Sequence, residues 1–268
     1  MSRYKLTIEY DGAPFVGWQR QDNGPSIQGA IEDAVFAFCG ERVAVHGAGR
    51  TDTGVHALGM VAHFEVSQGK WKMTGRKLSL ALNAWLPEDV RVVSAARARA
   101  DFHARFDATG KQYRYFVWRH PAMNPLIRLT AWHVPRSLDL RAMRIAARLF
   151  VGKHDFSSFT ARSGHERETP VRTLTRVEIQ RRGPLLTFII EGDGFLYKMC
   201  RGIVGTLVQV GLGKFPADEI KRMLAKKDRQ VSGMTAPAHG LVLSKVFYKS
   251  GARTPRPKVR ARHAHRPG

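Results

Sequence analysis

The stretch Gly47–Ala57, GAGRTDTGVHA, decides how the chain is to be folded. Read as a dinucleotide-binding fingerprint, it would need Gly at position 52. Asp52 stands there instead. The glycines are therefore taken as loop residues between strands, where they admit tight turns and let a partner approach closely. Upstream, a short strand is expected near Val43–Val45. Downstream, Met60, Ala62, Phe64 and Val66 alternate with their neighbours, the period of a strand.

Further out the same logic continues. Tyr4, Leu6, Ile8 and Tyr10 alternate as a half-buried strand. Ser26 can cap a helix carrying Ile27, Ala30, Ile31, Ala34, Val35 and Phe38 at helical spacing, with Gly40 as its stop. A second helix near Thr74–Ala84 ends before Pro87, and a strand follows near Val90–Ser94. The order is βαββαβ. The second half repeats it: a strand in KQYRYFVWRH, a helix capped by Ser137 with Leu138, Ala142, Ile145, Ala146 and Leu149, and strands Thr173–Gln180 and Leu185–Glu191 meeting at Arg182-Gly183-Pro184. Helices over Phe195–Val210, ending at Gly211, and over Pro216–Lys227 precede a last strand, Leu241–Tyr248. These orders predict an α+β protein of two split βαβ units. Residues 1–105 form an N-terminal domain carrying the Asp52 loop and 106–250 a C-terminal domain. A basic tail, 251–268, is expected to be disordered.

Composition narrows the function. Lys and Arg number 44 against 22 Asp and Glu, a net charge of +22. The last 18 residues hold six of the basic residues and no acid, yet the remainder still carries +16. Such a field attracts polyphosphates, and nucleic acid is favoured over a membrane because no amphipathic anchor or lipidation motif appears. Nothing approaches the roughly 20 apolar residues that span a bilayer, and the strand pattern begins too early for a signal peptide. A cytoplasmic location is expected. Cys39 and Cys200 are far apart in apolar surroundings, which excludes a disulfide framework and a cysteine zinc site.

Other signatures fail. GLGKF, ending at Phe215, lacks the first Gly and the final Ser or Thr of a phosphate loop. His56 and His63 are too far apart for a one-face helix pair. The triplet Asp52-Thr53-Gly54 resembles the catalytic triplet of aspartic proteases, but those need two carboxylates sharing a proton, and Arg50 works against a protonated acid. Asp52 is either a turn residue or an ionised carboxylate suited to act as a nucleophile or to anchor a cationic transition state. Tyr113, beside Lys111 and Arg114, is either core or a stacking surface for a base, while Phe116 and Trp118 are assigned to the core. On the expected helix Arg201 falls roughly 140° from the apolar seam, a surface position.

Several stretches, in order, resemble the tRNA pseudouridine synthase A family: YDGAPFVGWQRQ from Tyr10, GAGRTDTGVHALGMVAHF from Gly47, HDFSSF from His154, GFLYKMCRGIVGTL from Gly194 and HGLVLSKVFY from His239. The resemblance runs from Tyr4 to about Tyr248. It implies an isomerase without metal or cofactor that converts uridine to pseudouridine at positions 38, 39 and 40 in the anticodon stem-loop of tRNA. It implies one continuous antiparallel sheet built from two ferredoxin-like halves, with helices on one side, a central basic cleft, and a homodimer in which one tRNA touches both subunits. By resemblance Asp52 is the nucleophile and Arg50 helps extrude the target nucleotide. Tyr113 stacks on the flipped uracil and shuttles a proton, Arg201 pairs with Asp52, and Leu243 packs on the uracil. Thr53, Lys198, Cys200 and Gly202 stand where the family usually has Ala, His, Val and Asn. A helical Gly costs about 1 kcal/mol against Ala, which predicts a looser helix around Arg201.

Overall fold

The computed structural model describes residues 1–67, 75–161 and 169–249. In the first half, β1 (Ser2–Tyr10) leads to α1 (Ile27–Cys39), β2 (His46–Gly47), β3 (His56–Val66), α2 (Arg76–Asn83) and β4 (Val90–Arg97). In the second, β5 (Ala108–Trp118), β6 (Trp132–His133), α3 (Leu140–Arg148), β7 (Gly152–Asp155), β8 (Val171–Arg182) and β9 (Leu185–Gly192) precede α4 (Met199–Gly211), α5 (Glu219–Lys226) and β10 (Leu241–Tyr248).

All ten strands join one sheet, in the order β4-β1-β3-β10-β5-β9-β8-β7, with β2 on β3 and β6 on β5. The sheet is mixed, not antiparallel throughout. β10 runs antiparallel to β5 but parallel to β3, matching Val242 with His56 and Leu243 with Ala57. β3 gives one edge to β1 and divides the other, its start to β10 and its middle to β2. The last strand of the chain is thereby wedged between the first half and the second.

The alternation in β1 buries Tyr4, Leu6, Ile8 and Tyr10, as the period of two requires. In β3 both faces are buried, Met60, Ala62 and Phe64 on one and Val61 and His63 on the other. β5 buries the face carrying Tyr113, Tyr115 and Val117; Phe116 and Trp118, expected in the core, are only half-buried on the opposite face.

Several boundaries differ from expectation. Ser26 caps α1 by accepting the Gly29 N–H at 3.1 Å, and Gly40 closes it at φ 71°. Val43–Val45 is not a strand, because the Val45 N–H is taken by the Glu32 carboxylate at 3.0 Å and strand pairing begins one residue later. Thr74 and the tail 251–268 lie outside the described residues. Helix α3 is capped by Asp139 rather than Ser137, its carboxylate accepting from Arg141 and Ala142 at 2.8 and 3.0 Å. Its inward face is Met143, Ala146 and Ala147, while Ile145 is exposed. Asp139→Ala is accordingly expected to cost about 1 kcal/mol, as the loss of a cap does, and Ser137→Ala under about 0.5 kcal/mol; paired urea titrations would compare them. Helix α4 starts at Met199, after Lys198 in the left-handed region at φ 58°, and not at Phe195. It runs through Gly211, and Gly213 at φ 75° follows.

Candidate active site

Asp52 sits in the loop between β2 and β3, and the loop is shaped from behind by the segment after β1. The Trp18 N–H donates to the Thr51 carbonyl at 3.1 Å, Tyr10 and Thr51 hydroxyls meet at 2.8 Å, and the Thr53 hydroxyl donates to the Val16 carbonyl at 2.9 Å. Gly17 makes this contact possible: at φ 116° an added Cβ would lie 2.7 Å from the Thr51 carbonyl oxygen. Asp52 then opens a turn closed by the Val55 N–H on its carbonyl at 3.1 Å. The third turn residue, Gly54, takes φ 74°, the position where such a turn demands glycine. His56 locks the far side. Its Nδ1 accepts the Gly12 N–H at 3.1 Å and its Nε2 donates to the His239 carbonyl at 3.1 Å.

Asp52 and Arg201 come together across 149 residues of chain, with Arg201 Nη1 donating to Asp52 Oδ2 at 3.0 Å. Their side chains are 20% and 14% exposed, so this is a mostly desolvated, charge-assisted contact. Arg201 is itself held, Nε donating to the Ala236 carbonyl at 2.8 Å while Ala236 returns its N–H to the Arg201 carbonyl at 3.1 Å. The surface position expected for Arg201 was measured from Leu196, which lies before the helix; the true helix turns Arg201 inward.

Gly202 does not loosen that helix. An added Cβ would meet the Phe159 carbonyl oxygen at 2.6 Å, and at Gly205 it would collide with the Met234 carbonyl. The two glycines let backbone from the HDFSSF stretch and from the segment before β10 press directly on α4.

Tyr113 faces the same region from β5. It is 7% exposed, and the Phe195 ring meets it edge-on with centroids 5.0 Å apart. Burial, then the neighbouring Cys200, Tyr10 and Asp52, push its phenol well above the ordinary value. Tyr113 is a neutral phenol. Burial likewise keeps the Cys200 thiol protonated beside Asp52.

Arg50, Asp52 and Tyr113 line one cleft of about 740 Å³. Arg50 is exposed on its wall and, among the described residues, makes no ion pair with Asp52, because Thr51 between them is fastened inward. Leu243 does not reach the cleft. It is fully buried in register with Tyr113 and Ala57, and Leu241 lines the cleft instead. Phe195, Arg105 and Phe106 also line it, and all three lie outside helices and strands, Phe195 ahead of the helix expected to begin there. Asp52 is the single carboxylate among the described lining residues. Among the described residues no group of three or more His, Cys, Asp or Glu is placed to hold a metal ion, and no helix is long and apolar enough to cross a membrane.

Comparison with known proteins gives a consistent answer. The family model described as tRNA pseudouridine synthase matches residues 6–107 and 146–249. The chain is 48% identical over 248 residues to the tRNA pseudouridine synthase A of Syntrophotalea carbinolica, covering 92% of this chain and 97% of that one. It is 46% identical over 248 residues to that of Acetivibrio thermocellus, covering 92% of this chain and 100% of the other. With that of Streptococcus pneumoniae the identity is 44% over 252 residues, 93% of this chain and 100% of the other. With the match spanning both halves of the sheet and including the Asp52 loop, the chain belongs to the tRNA pseudouridine synthase family.

Proposed function

We propose that the protein isomerises uridine to pseudouridine at positions 38, 39 and 40 in the anticodon stem-loop of tRNA, with Asp52 as nucleophile. The observation that carries this reading is the Asp52–Arg201 contact at 3.0 Å, an acid held in place inside a cleft whose other charged lining side chains include Arg50, Arg105, Lys111 and Lys198. We read this as a basic cleft at the middle of the sheet. Strand orders β4-β1-β3-β2 and β10-β5-β9-β8 support two split βαβ halves, residues 1–105 and 106–250, fused edge to edge with their helices on one side. A homodimer and a cytoplasmic location are part of the same proposal.

The chemistry starts with the target nucleotide leaving its stack, at a cost of a few kcal/mol. Phosphate contacts to the cationic wall offset it, and Arg50 fills the vacated space. The Asp52 carboxylate, aimed by Arg201, attacks the nucleoside and forms a covalent bond as the bond between ribose C1′ and uracil N1 breaks. The detached base, carrying the bonding electron pair on N1, turns against Tyr113; C5 bonds to C1′ as Asp52 is released, the proton on C5 is lost to solvent and N1 takes one up. Tyr113, neutral through burial, supplies a stacking face and a hydroxyl that can accept one proton as it passes on its own. Leu243 acts from behind, backing Tyr113 across the strand pair.

Among the described residues the aspartic-protease reading finds no second carboxylate in the lining beside Asp52. The test is direct. Unmodified tRNA carrying tritium at uracil C5, mixed with the protein without added metal or nucleotide, is expected to release tritium to water. Retention of all the label would refute the reaction class.

A further inference from the structure

The cleft rim carries an aromatic feature that the chemistry at Asp52 leaves unused. Phe106 is 76% exposed, yet it lines the same cleft as Asp52. The His103 ring lies against it at 4.2 Å between centroids and 32° between planes. His103 is fixed in turn: its Nδ1 accepts the N–H groups of Arg105 and Phe106 at 3.1 and 3.3 Å. Its backbone exchanges bonds with Asp107, the His103 N–H reaching the Asp107 carboxylate at 3.1 Å and the Asp107 N–H the His103 carbonyl at 3.0 Å. The turn is closed on itself and presents one ring outward.

Behind His103 the rings continue inward. His63 lies 4.6 Å from His103, and His46 stacks on His63 at 5.1 Å. The His63 Nδ1 accepts the Ala104 N–H at 3.1 Å. Burial lowers His63 to about 4 and also lowers His103, so both imidazoles are neutral at physiological pH. A chain of ring contacts, edge-on between His63 and His103 at 64°, thus runs from buried β3 to the cleft and ends at Phe106. The Arg105 guanidinium stands 5.9 Å from the Phe106 centroid, within cation–π reach.

A ring face, a guanidinium beside it and a cleft lined by Arg50, Arg105, Lys111 and Lys198 suit a ligand that is planar, aromatic and polyanionic. We infer that Phe106, backed by His103 and flanked by Arg105, is a stacking platform for an unpaired base of the RNA, distinct from the base that goes to Asp52 and Tyr113. The inference rests on the proposed reading of the cleft as an RNA site and adds a second point of grip. A two-point grip fixes the arm while the target nucleotide turns.

The test is binding of the full chain to a fluorescent, unmodified anticodon arm, with turnover measured separately. Phe106→Ala is expected to weaken binding about 5- to 150-fold, the loss typical of one base–aromatic stack. Phe106→Leu, apolar without a ring, should lose nearly as much, and Phe106→Trp should bind like the wild type. Single-turnover rates at subsaturating RNA should fall in parallel with affinity, as the loss of a binding contact requires. Arms with one loop nucleotide made abasic should reveal one position at which Phe106→Ala costs nothing further. Equal affinity of Phe106→Ala and wild type, full rescue by Leu, or no coupled position would overturn the platform. So would conversion of the RNA-free protein from dimer to monomer by Phe106→Ala, which would assign the ring to a second copy of the chain. Absence of tritium release from the wild type would refute the isomerase reading alone, because affinity is read without turnover.

Discussion

Asp52→Asn is expected to abolish pseudouridine formation, by about 10⁴-fold or more as for other lost nucleophiles, while tRNA affinity stays within about threefold or tightens. Asn has the same shape, and its amide oxygen can still accept from Arg201 Nη1, so the 3.0 Å contact has a neutral replacement. What disappears is the charge and with it the bond-forming electron pair. Binding should not suffer, because the change removes a negative charge from the lining of a cleft proposed to attract phosphates. Folding should suffer little, since Arg201 keeps its bond to the Ala236 carbonyl at 2.8 Å. Tritium release and filter binding on the same preparation separate these effects. Wild-type turnover in the variant would remove the nucleophile and leave a protein that merely binds RNA.

The second large effect is expected from α4. Helix propensity alone makes Gly205→Ala a gain of about 1 kcal/mol. Packing reverses the sign. An added Cβ would collide with the Met234 carbonyl, a backbone atom that cannot rotate away. Overpacking of this kind costs about 1–3 kcal/mol and occasionally more, and the upper end applies here. The melting temperature should fall by about 6–12 °C. Activity should fall further than stability explains, because Met234 lies two residues before Ala236, the residue that holds Arg201. Gly202→Ala meets the Phe159 carbonyl at 2.6 Å and should show the same sign with a smaller size. A rise in melting temperature in both variants would show that α4 is loosely held after all.

The sequence carried the local parts of this architecture and missed the long-range ones. Ser26 and Gly40 bracket α1 because capping and a left-handed stop are matters of a few adjacent residues. The last strand has the bounds its alternation predicts, Leu241–Tyr248. Its position is another matter, since nothing in its side chains says that it pairs with β3 in parallel as well as with β5. Asp139 displaced Ser137 as a cap because either residue type serves and the choice depends on where Met143 and Ala146 find a buried face. In the site, the Asp52 loop was legible from its own residues. Its partner was placed by resemblance alone, since Arg201 is 149 residues away and spacing holds no trace of such a contact. The His103–Phe106 turn was invisible for a related reason: its order comes from bonds between imidazole and backbone, which have no period.

The central place of β10 bears on how the molecule is made. During synthesis both sheet halves leave the ribosome before the strand that joins them, so β3 and β5 present bare edges until the last residues arrive. A polypeptide terminated before Leu241 therefore exposes two adhesive borders at once. Chains shortened before Leu241 are expected to self-associate rather than to retain partial activity.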